Sequence, residues 1–250
     1  MLTRSMRAIT VGFACNNACV FCAQGELRRG AERLDGDVAL ALEAIGAGDA
    51  VAFLGGEPTL FAELPAWIRE ADARGAARVV VQTNGRRLAY RAFTQALREA
   101  SPRLALDVSL HGSSAPMHDW HTGTAGSFAQ TFQGLRNARA ERIPAGVTVV
   151  VTRSNFRHLA EIARVAHAAG AVAIHFAPVQ PFGRALRDRA RLAPATDMVL
   201  PHLQRAAAEA RRLGLRAQIG DAGAGEDLFA GLGDVEPPAA GGERVVEERP

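Results

Sequence analysis

Cys15, Cys19 and Cys22 are the only cysteines in a chain of 250 residues, and they lie within one loop, G-F-A-C-N-N-A-C-V-F-C-A-Q-G. Thiolates are the natural ligands of iron-sulfur clusters, and three on one short loop can hold three irons of a cubane while the fourth has no protein ligand. An iron left open in this way is a place where a small molecule can be bound and activated. A closed four-ligand cluster or a structural zinc site needs another Cys or a His near by, and the first His of the chain is His111. A degenerate zinc knuckle is the other reading of the loop taken alone.

Further groups able to do chemistry are spread along the chain. Gly55, Gly56, Glu57 and Pro58 form G-G-E-P, in which two glycines let a ligand approach the backbone and Glu57 offers a carboxylate or steadies the loop. The plainer alternative is a strand-to-helix turn, with Pro58 starting the helix. Thr83, Asn84 and Gly85 form T-N-G, a turn with Gly85 at positive φ. Ser109 and His111 fall two residues apart in S-L-H-G, on one side of an extended chain. Arg153, in T-R-S-N, is suited to a carboxylate through paired charge-assisted hydrogen bonds, or is a surface residue. His111, His118, Asp119 and His121 crowd one stretch; their spacing fits no strong metal motif, so structure or substrate contact is preferred to a second metal site. Of these, His111, His118 and Asp119 are the candidates for a catalytic role.

These residues need a scaffold. At 48% hydrophobic and 22% charged, the chain can bury a large core. No apolar run is long enough to span a bilayer, and the N-terminal stretch runs directly into the Cys loop without a separate apolar segment, so a cytoplasmic protein is expected. Three cysteines at cofactor spacing also suit a reducing compartment. The net charge of +3 comes from arginine alone, with no lysine, scattered among acids on helix faces. A nucleic-acid partner is therefore disfavoured.

Short apolar runs alternate with longer Ala-, Leu- and Arg-rich amphipathic segments, the pattern of β-α-β units in a parallel sheet. Strands are expected at 8–13, 50–54, 78–82, 104–109, 147–151 and 172–176. Helices are expected at 37–47, 61–74, 90–100, 127–141, 156–169 and 196–213, with Ser127 and Asn155 placed to cap two of them. Six units ending near residue 220 are too few for a closed eight-fold barrel. The expected fold is α/β, an open six-unit partial (β/α)6 TIM-type barrel over residues 1–220. Residues 221–250, rich in Gly, Pro, Ala and acid, read as a flexible tail in which 227–232 is the one segment able to dock. Each group named above falls at the carboxyl end of a strand, where the loops of a parallel barrel converge.

The C-x3-C-x2-C spacing with aromatic Phe21 before the third Cys, together with G-G-E-P, T-N-G and S-L-H-G in that order, resembles the radical S-adenosylmethionine (SAM) enzymes. The resemblance covers about residues 9–185. It implies that Cys15, Cys19 and Cys22 bind a 4Fe-4S cluster whose fourth iron is chelated by the amino and carboxylate groups of SAM. It further implies that Gly55 to Pro58 receive the amino group, that Thr83 and Asn84 lie near SAM, and that Ser109 contacts its ribose or carboxylate. Arg153 would hold the methionine carboxylate or a substrate acid, and residues 178–184 would form the adenine side, with Val179 and Phe182 against the ring. The implied reaction is reductive cleavage of SAM and hydrogen abstraction from a substrate, with a low-potential donor of flavodoxin or ferredoxin type. No cysteine follows the barrel to bind an auxiliary cluster. The substrate is open: a peptide delivered by a separate recognition protein, a small metabolite or a protein side chain. Two other readings are a non-catalytic iron-sulfur or zinc-binding module, which leaves the later motifs without purpose, and an RNA-modifying radical enzyme, suggested only by the basic pI of about 9.2.

Overall fold

The computed structural model describes residues 6–25, 35–220, 228 and 229. Seven parallel strands pair strictly in chain order: β1 (Arg7–Thr10), β2 (Ala50–Leu54), β3 (Arg78–Thr83), β4 (Leu104–Ser109), β5 (Ala145–Val151), β6 (Ala173–Pro178) and β7 (Arg216–Ile219). β1 and β7 are the edges, so the sheet curls without closing. The helices are α1 (Asp35–Glu43), α2 (Leu64–Ala73), α3 (Arg91–Ala100), α4 (Ala115–Thr122), α5 (Ser127–Ala140), α6 (Leu159–Ala169), α7 (Gly183–Arg187), α8 (Arg189–Leu192) and α9 (Thr196–Arg212). Among the described residues no helix is long and apolar enough to cross a membrane.

The strands are rich in β-branched residues and alternate between two buried faces. Val51, Phe53, Val79, Val81, Leu106, Val147, Ile174 and Phe176 face the helices and belong to the larger core. The residues between them face the barrel interior, and toward the amino ends of the strands these are small: Ala52, Val80, Ala105, Gly146 and Ala173. Barrel interiors are ordinarily filled by bulky branched side chains from the strands themselves. Here Leu228 and Phe229, 5% and 2% exposed, pack into that space with Ala52, Val80, Ala105 and Ala173. A Cβ on Gly146 would collide with the Leu228 side chain.

Three features differ from the sequence reading. The sheet has a seventh strand, R-A-Q-I, whose polar-apolar alternation runs for only four residues; pairing with β6 from Ala173↔Arg216 supplies what so short a pattern lacks. The 115–122 stretch, read as a loop, is α4, started by a proline in its first turn and ended by Gly123 in the left-handed region. A domain boundary after residue 220 leaves out Leu228 and Phe229, which belong to the barrel's interior. The rest of 221–250 lies outside the described residues.

Candidate active site

The carboxyl ends of the strands surround a cavity of about 550 Å3. Cys15, Cys19 and Cys22 lie on its wall, partly exposed, with none in a disulfide. Among the described residues no three Cys, His, Asp or Glu side chains are gathered tightly enough to hold a single ion. Three thiols on one cavity wall are the donor set of a cluster held by three cysteines. The Asn17 N–H already points at the Cys15 sulfur at 3.4 Å, the kind of donor that tunes a cluster's potential. The donor set therefore fits a three-thiolate cluster, which Cys15, Cys19 and Cys22 would hold.

The Cys loop is held from four directions. From β2, the Gly56 and Glu57 N–H groups donate to the carbonyls of Gly12 and Ala14, both at 2.8 Å. A Cβ at Gly56 would collide with the Phe13 and Ala14 carbonyls, and Gly55 has φ +136 with the Gly12 carbonyl where its Cβ would be. The glycines of G-G-E-P are thus required by the Cys loop, which packs where their Cβ atoms would be, while both also line the cavity. From β3, Asn84 donates to Asn16 at 2.6 Å, and Arg86 donates to the Asn16 carbonyl and, at 3.0 Å, to the Asn17 side chain. From α4, the last-turn carbonyls of Thr122 and His121 accept from Ala18 and Val20 at 2.8 and 3.0 Å. From α7, Arg184 donates through its backbone to the Cys22 carbonyl at 3.0 Å and through its guanidinium to the Cys19 carbonyl at 3.1 Å.

Glu57 is a buried hub. Its Oε1 accepts from the Thr59 backbone and hydroxyl and from the Thr83 hydroxyl, and its Oε2 accepts from the Asn84 N–H at 2.7 Å. Burial pushes its carboxyl up, against the opposing pull of these hydrogen bonds. Of the two roles read for Glu57, steadying the loops fits this arrangement. Glu57, Thr83 and Asn84 still line the cavity beside Gly55 and Gly56, while Pro58 is buried behind them in the turn. Ser109 and His111 line the β4 side.

His111, His118 and His121 stack into a cluster that supports Phe21, whose ring meets His111 edge-on at 4.8 Å and is 6.0 Å from His121. All three imidazoles are buried. Burial first, then the neighbouring His118 and His121, holds His111 well below its usual pKa. His118 is brought from 6.5 to about 4 by burial, Asp119 opposing and His121 adding to it. His118 accepts the His111 N–H on Nδ1 at 3.1 Å, and its Nε2 is buried without a partner. Below pH 6.5 the unfolded chain binds a proton that folded His118 refuses, so stability should fall as pH drops from about 6.5 toward 4. His118→Gln, which keeps an acceptor and cannot titrate, should flatten part of that decline in urea titrations across this range. An unchanged slope would place the pH dependence elsewhere.

Two catalytic candidates are removed from the cavity by this geometry. His118 is not among the lining residues and serves the imidazole stack. Asp119 accepts from the Gly126 and Phe128 N–H groups and the Ser127 hydroxyl at 2.7 to 2.8 Å, capping the start of α5 from the preceding helix. Burial, the largest single effect, pushes its carboxyl up, but those hydrogen bonds and the nearby His118 together hold it below the usual carboxylate range. Asp119 thus does the capping expected of Ser127. Arg153, too, lies outside the cavity: its N–H donates to the Leu192 carbonyl and its guanidinium to the Ala190 carbonyl, each at 2.8 Å, which ties α8 to the end of β5. Asn155 does not cap a helix with its side chain; it accepts from Thr152 and donates to the carbonyls of His111 and Val150, joining β4 to β5.

The sequence reading missed a polar layer beneath the mouth. Gln82, Asp107, Thr148 and His175 point into the interior and line the cavity. The Thr148 hydroxyl donates to Asp107 at 2.7 Å, and burial raises the Asp107 carboxyl against that bond, the His175 charge and Gln82. The signal was present in L-A-L-D-V-S, where strict alternation puts residues 105, 107 and 109 on one face.

An open parallel α/β barrel with a three-cysteine loop at its carboxyl-end mouth defines a class of cofactor-dependent enzymes. A family model described as the Radical SAM superfamily matches residues 9–166, and the chain belongs to that superfamily, whose enzymes use a 4Fe-4S cluster and SAM. It is similar to the PqqA peptide cyclase of Rhodopseudomonas palustris, 32% identical over 199 residues, covering 74% of this chain and 49% of that protein. It is also similar to the AdoMet-dependent heme synthase of Oleidesulfovibrio alaskensis, 30% identical over 147 residues, covering 59% of this chain and 37% of that protein. In fold it resembles Streptococcus suis SuiB bound to precursor peptide SuiA, with a TM-score of 0.66 at 13% identity, over 90% of this chain and 50% of that one. The chain spans about half or less of the length of these relatives.

Proposed function

We propose that this protein cleaves SAM reductively at a 4Fe-4S cluster held by Cys15, Cys19 and Cys22 and abstracts hydrogen from a peptide substrate. The observation that carries the first part is a three-thiol loop, braced from four sides, opening onto an interior cavity. When bound, the cluster supplies the electron that breaks a carbon-sulfur bond of SAM, giving methionine and a 5′-deoxyadenosyl radical. The chain's own groups bind and orient. Gly55, Gly56 and Glu57 would receive the SAM ammonium on their backbone carbonyls, with Thr83, Asn84 and Ser109 also on the cavity wall. Phe182, half-exposed on the cavity wall, provides an apolar face for the adenine. Asp107, Thr148 and His175 face the space left for the substrate and can hold a donor group in register with SAM. The electron donor is proposed to be of flavodoxin or ferredoxin type.

The peptide reading is supported by the likeness to a peptide cyclase and by the fold shared with a precursor-peptide complex. It is tested by label transfer. Cell extract from cultures grown on deuterated amino acids is separated into peptide and small-molecule fractions, and each is incubated with the reconstituted protein, dithionite and SAM. Deuterium in 5′-deoxyadenosine from the peptide fraction is expected. Label from the small-molecule fraction alone would overturn the peptide assignment while leaving the SAM chemistry standing.

A further inference from the structure

A second cavity, of about 420 Å3, lies beside the first and serves no part of the chemistry above. Its floor is apolar and buried: Val151 at the end of β5, Leu192 of α8, and Val199 and Leu203 of α9. Its rim carries Leu200, 51% exposed, and Arg189. Four of the nine exposed large apolar side chains among the described residues, Phe182, Leu186, Met198 and Leu200, fall between 182 and 200. Apolar residues scattered singly on a surface need no explanation, but Leu200 stands on the rim of an apolar cleft and Phe182 on the wall of the reaction cavity beside it, which marks this side of the mouth as a contact surface.

Two observations identify the occupant. First, the cleft shares a wall with the reaction cavity. Pro178, Val179 and Gln180, at the carboxyl end of β6, line both, and Phe182 of the same loop lines the reaction cavity. A chain lying in the cleft therefore leads along one shared wall to the place where SAM is cleaved. Second, the helical wall is basic. Residues 183–192, G-R-A-L-R-D-R-A-R-L, carry four arginines against one aspartate. Arg184 is committed to the Cys19 carbonyl, and Asp188 lies 3.4 Å from Arg191. Arg189 is the charged residue on the lining itself.

Resting on the peptide reading above, we propose that this cleft docks an apolar segment of the substrate peptide bearing an acidic residue opposite Arg189, so that an adjoining residue is fed into the reaction cavity. Apolar side chains fill the floor between α8 and α9, while the guanidinium selects a carboxylate at the rim and sets the register of the chain. Arg153 acquires a purpose in this scheme: by fastening α8 to β5 it holds the basic wall in place.

The test uses the full-length, anaerobically reconstituted protein and two short fluorescein-labelled peptides that share a leucine and valine pattern. One carries glutamates at its polar positions and the other lysines. Anisotropy titrations should show the acidic peptide binding about tenfold tighter than the basic one, with added salt narrowing the gap. Arg189→Glu should reverse the preference, and Leu200→Asp should weaken both peptides about tenfold. Both positions are exposed, and neither lines the reaction cavity, so both variants should form 5′-deoxyadenosine without substrate at the rate of the parent. Equal affinity for the two peptides, no binding of either, or binding that neither variant changes would overturn the cleft as the docking site. Tighter binding of a single-stranded RNA of matching length would overturn it in favour of a nucleic-acid partner. If peptides still transfer label in the deuterium experiment at the parent's rate in both variants, the cleft assignment fails while the peptide reading survives. Label from small molecules alone would remove the peptide reading, and the proposed occupant with it.

Discussion

Gly56→Val is expected to lose iron and SAM binding together. A glycine-rich loop in contact with a ligand would lose the ligand and keep its neighbours, but here the Cβ position is taken by the Phe13 and Ala14 carbonyls of the Cys loop. Two isopropyl methyl groups cannot be fitted without moving that backbone, and Cys15 is the next residue along. The Glu57 N–H bond to Ala14 and the Gly56 N–H bond to Gly12 go with it. Two backbone hydrogen bonds at about 1 kcal/mol each, plus overpacking of about 1 to 3 kcal/mol, are enough to unseat the loop without unfolding the barrel. Iron and sulfide analysis after reconstitution should show the variant nearly empty, with its helical circular dichroism retained. A variant that takes up the parent's iron and fails only to bind SAM would show that the glycines serve the ligand directly.

Removal of the Leu228–Phe229 pair should destabilise the protein by more than any surface change. Truncating a buried Phe to Ala typically costs about 3 to 5 kcal/mol, and a buried Leu about 2 to 5. Phe229→Ala is therefore expected to lower the melting temperature by about 10 °C, since 1 kcal/mol corresponds to roughly 2 to 4 °C in a domain of this size. Leu228→Ala with Phe229→Ala should go further, because the small side chains of Ala52, Ala105, Gly146 and Ala173 cannot close the void between them. Calorimetry on the full chain decides. A melting temperature within a degree or two of the parent would mean that these residues do not fill the interior in solution.

The scaffold was legible because its signal is periodic. Runs such as V-T-V-V-V and R-V-V-V-Q-T are long enough to be read as buried strands, and the motifs at their ends follow from the topology of parallel barrels. What escaped the reading is what periodicity does not encode. β7 is short and half polar. Leu228 and Phe229 fall in the 227–232 segment that the sequence marks as able to dock, but the place where they dock depends on five small residues spread over five strands. Within the site, the Cys loop was plain from spacing, but its braces were not. Arg86 and Arg184 are two arginines among many, and only the fold brings them to the carbonyls of residues 16 and 19. Asp119 and His118 drew attention as reactive types, and the structure uses one as a helix cap and the other as packing. Arg153 fell at a strand end, as an active-site residue would, yet its backbone turns the guanidinium toward α8.

The central claim is that the three-cysteine loop holds a cluster that cleaves SAM in the cavity beneath it. The most direct measurement is anaerobic reconstitution followed by dithionite and SAM, with iron content and 5′-deoxyadenosine both quantified. The expected result is a brown protein with about four irons per chain, the content of a single cubane, and slow formation of 5′-deoxyadenosine without added substrate. Replacing Cys15, Cys19 or Cys22 by Ala should abolish both. A colourless protein that binds one zinc tightly, or a brown protein that leaves SAM intact while all four irons are held by protein ligands, would contradict it.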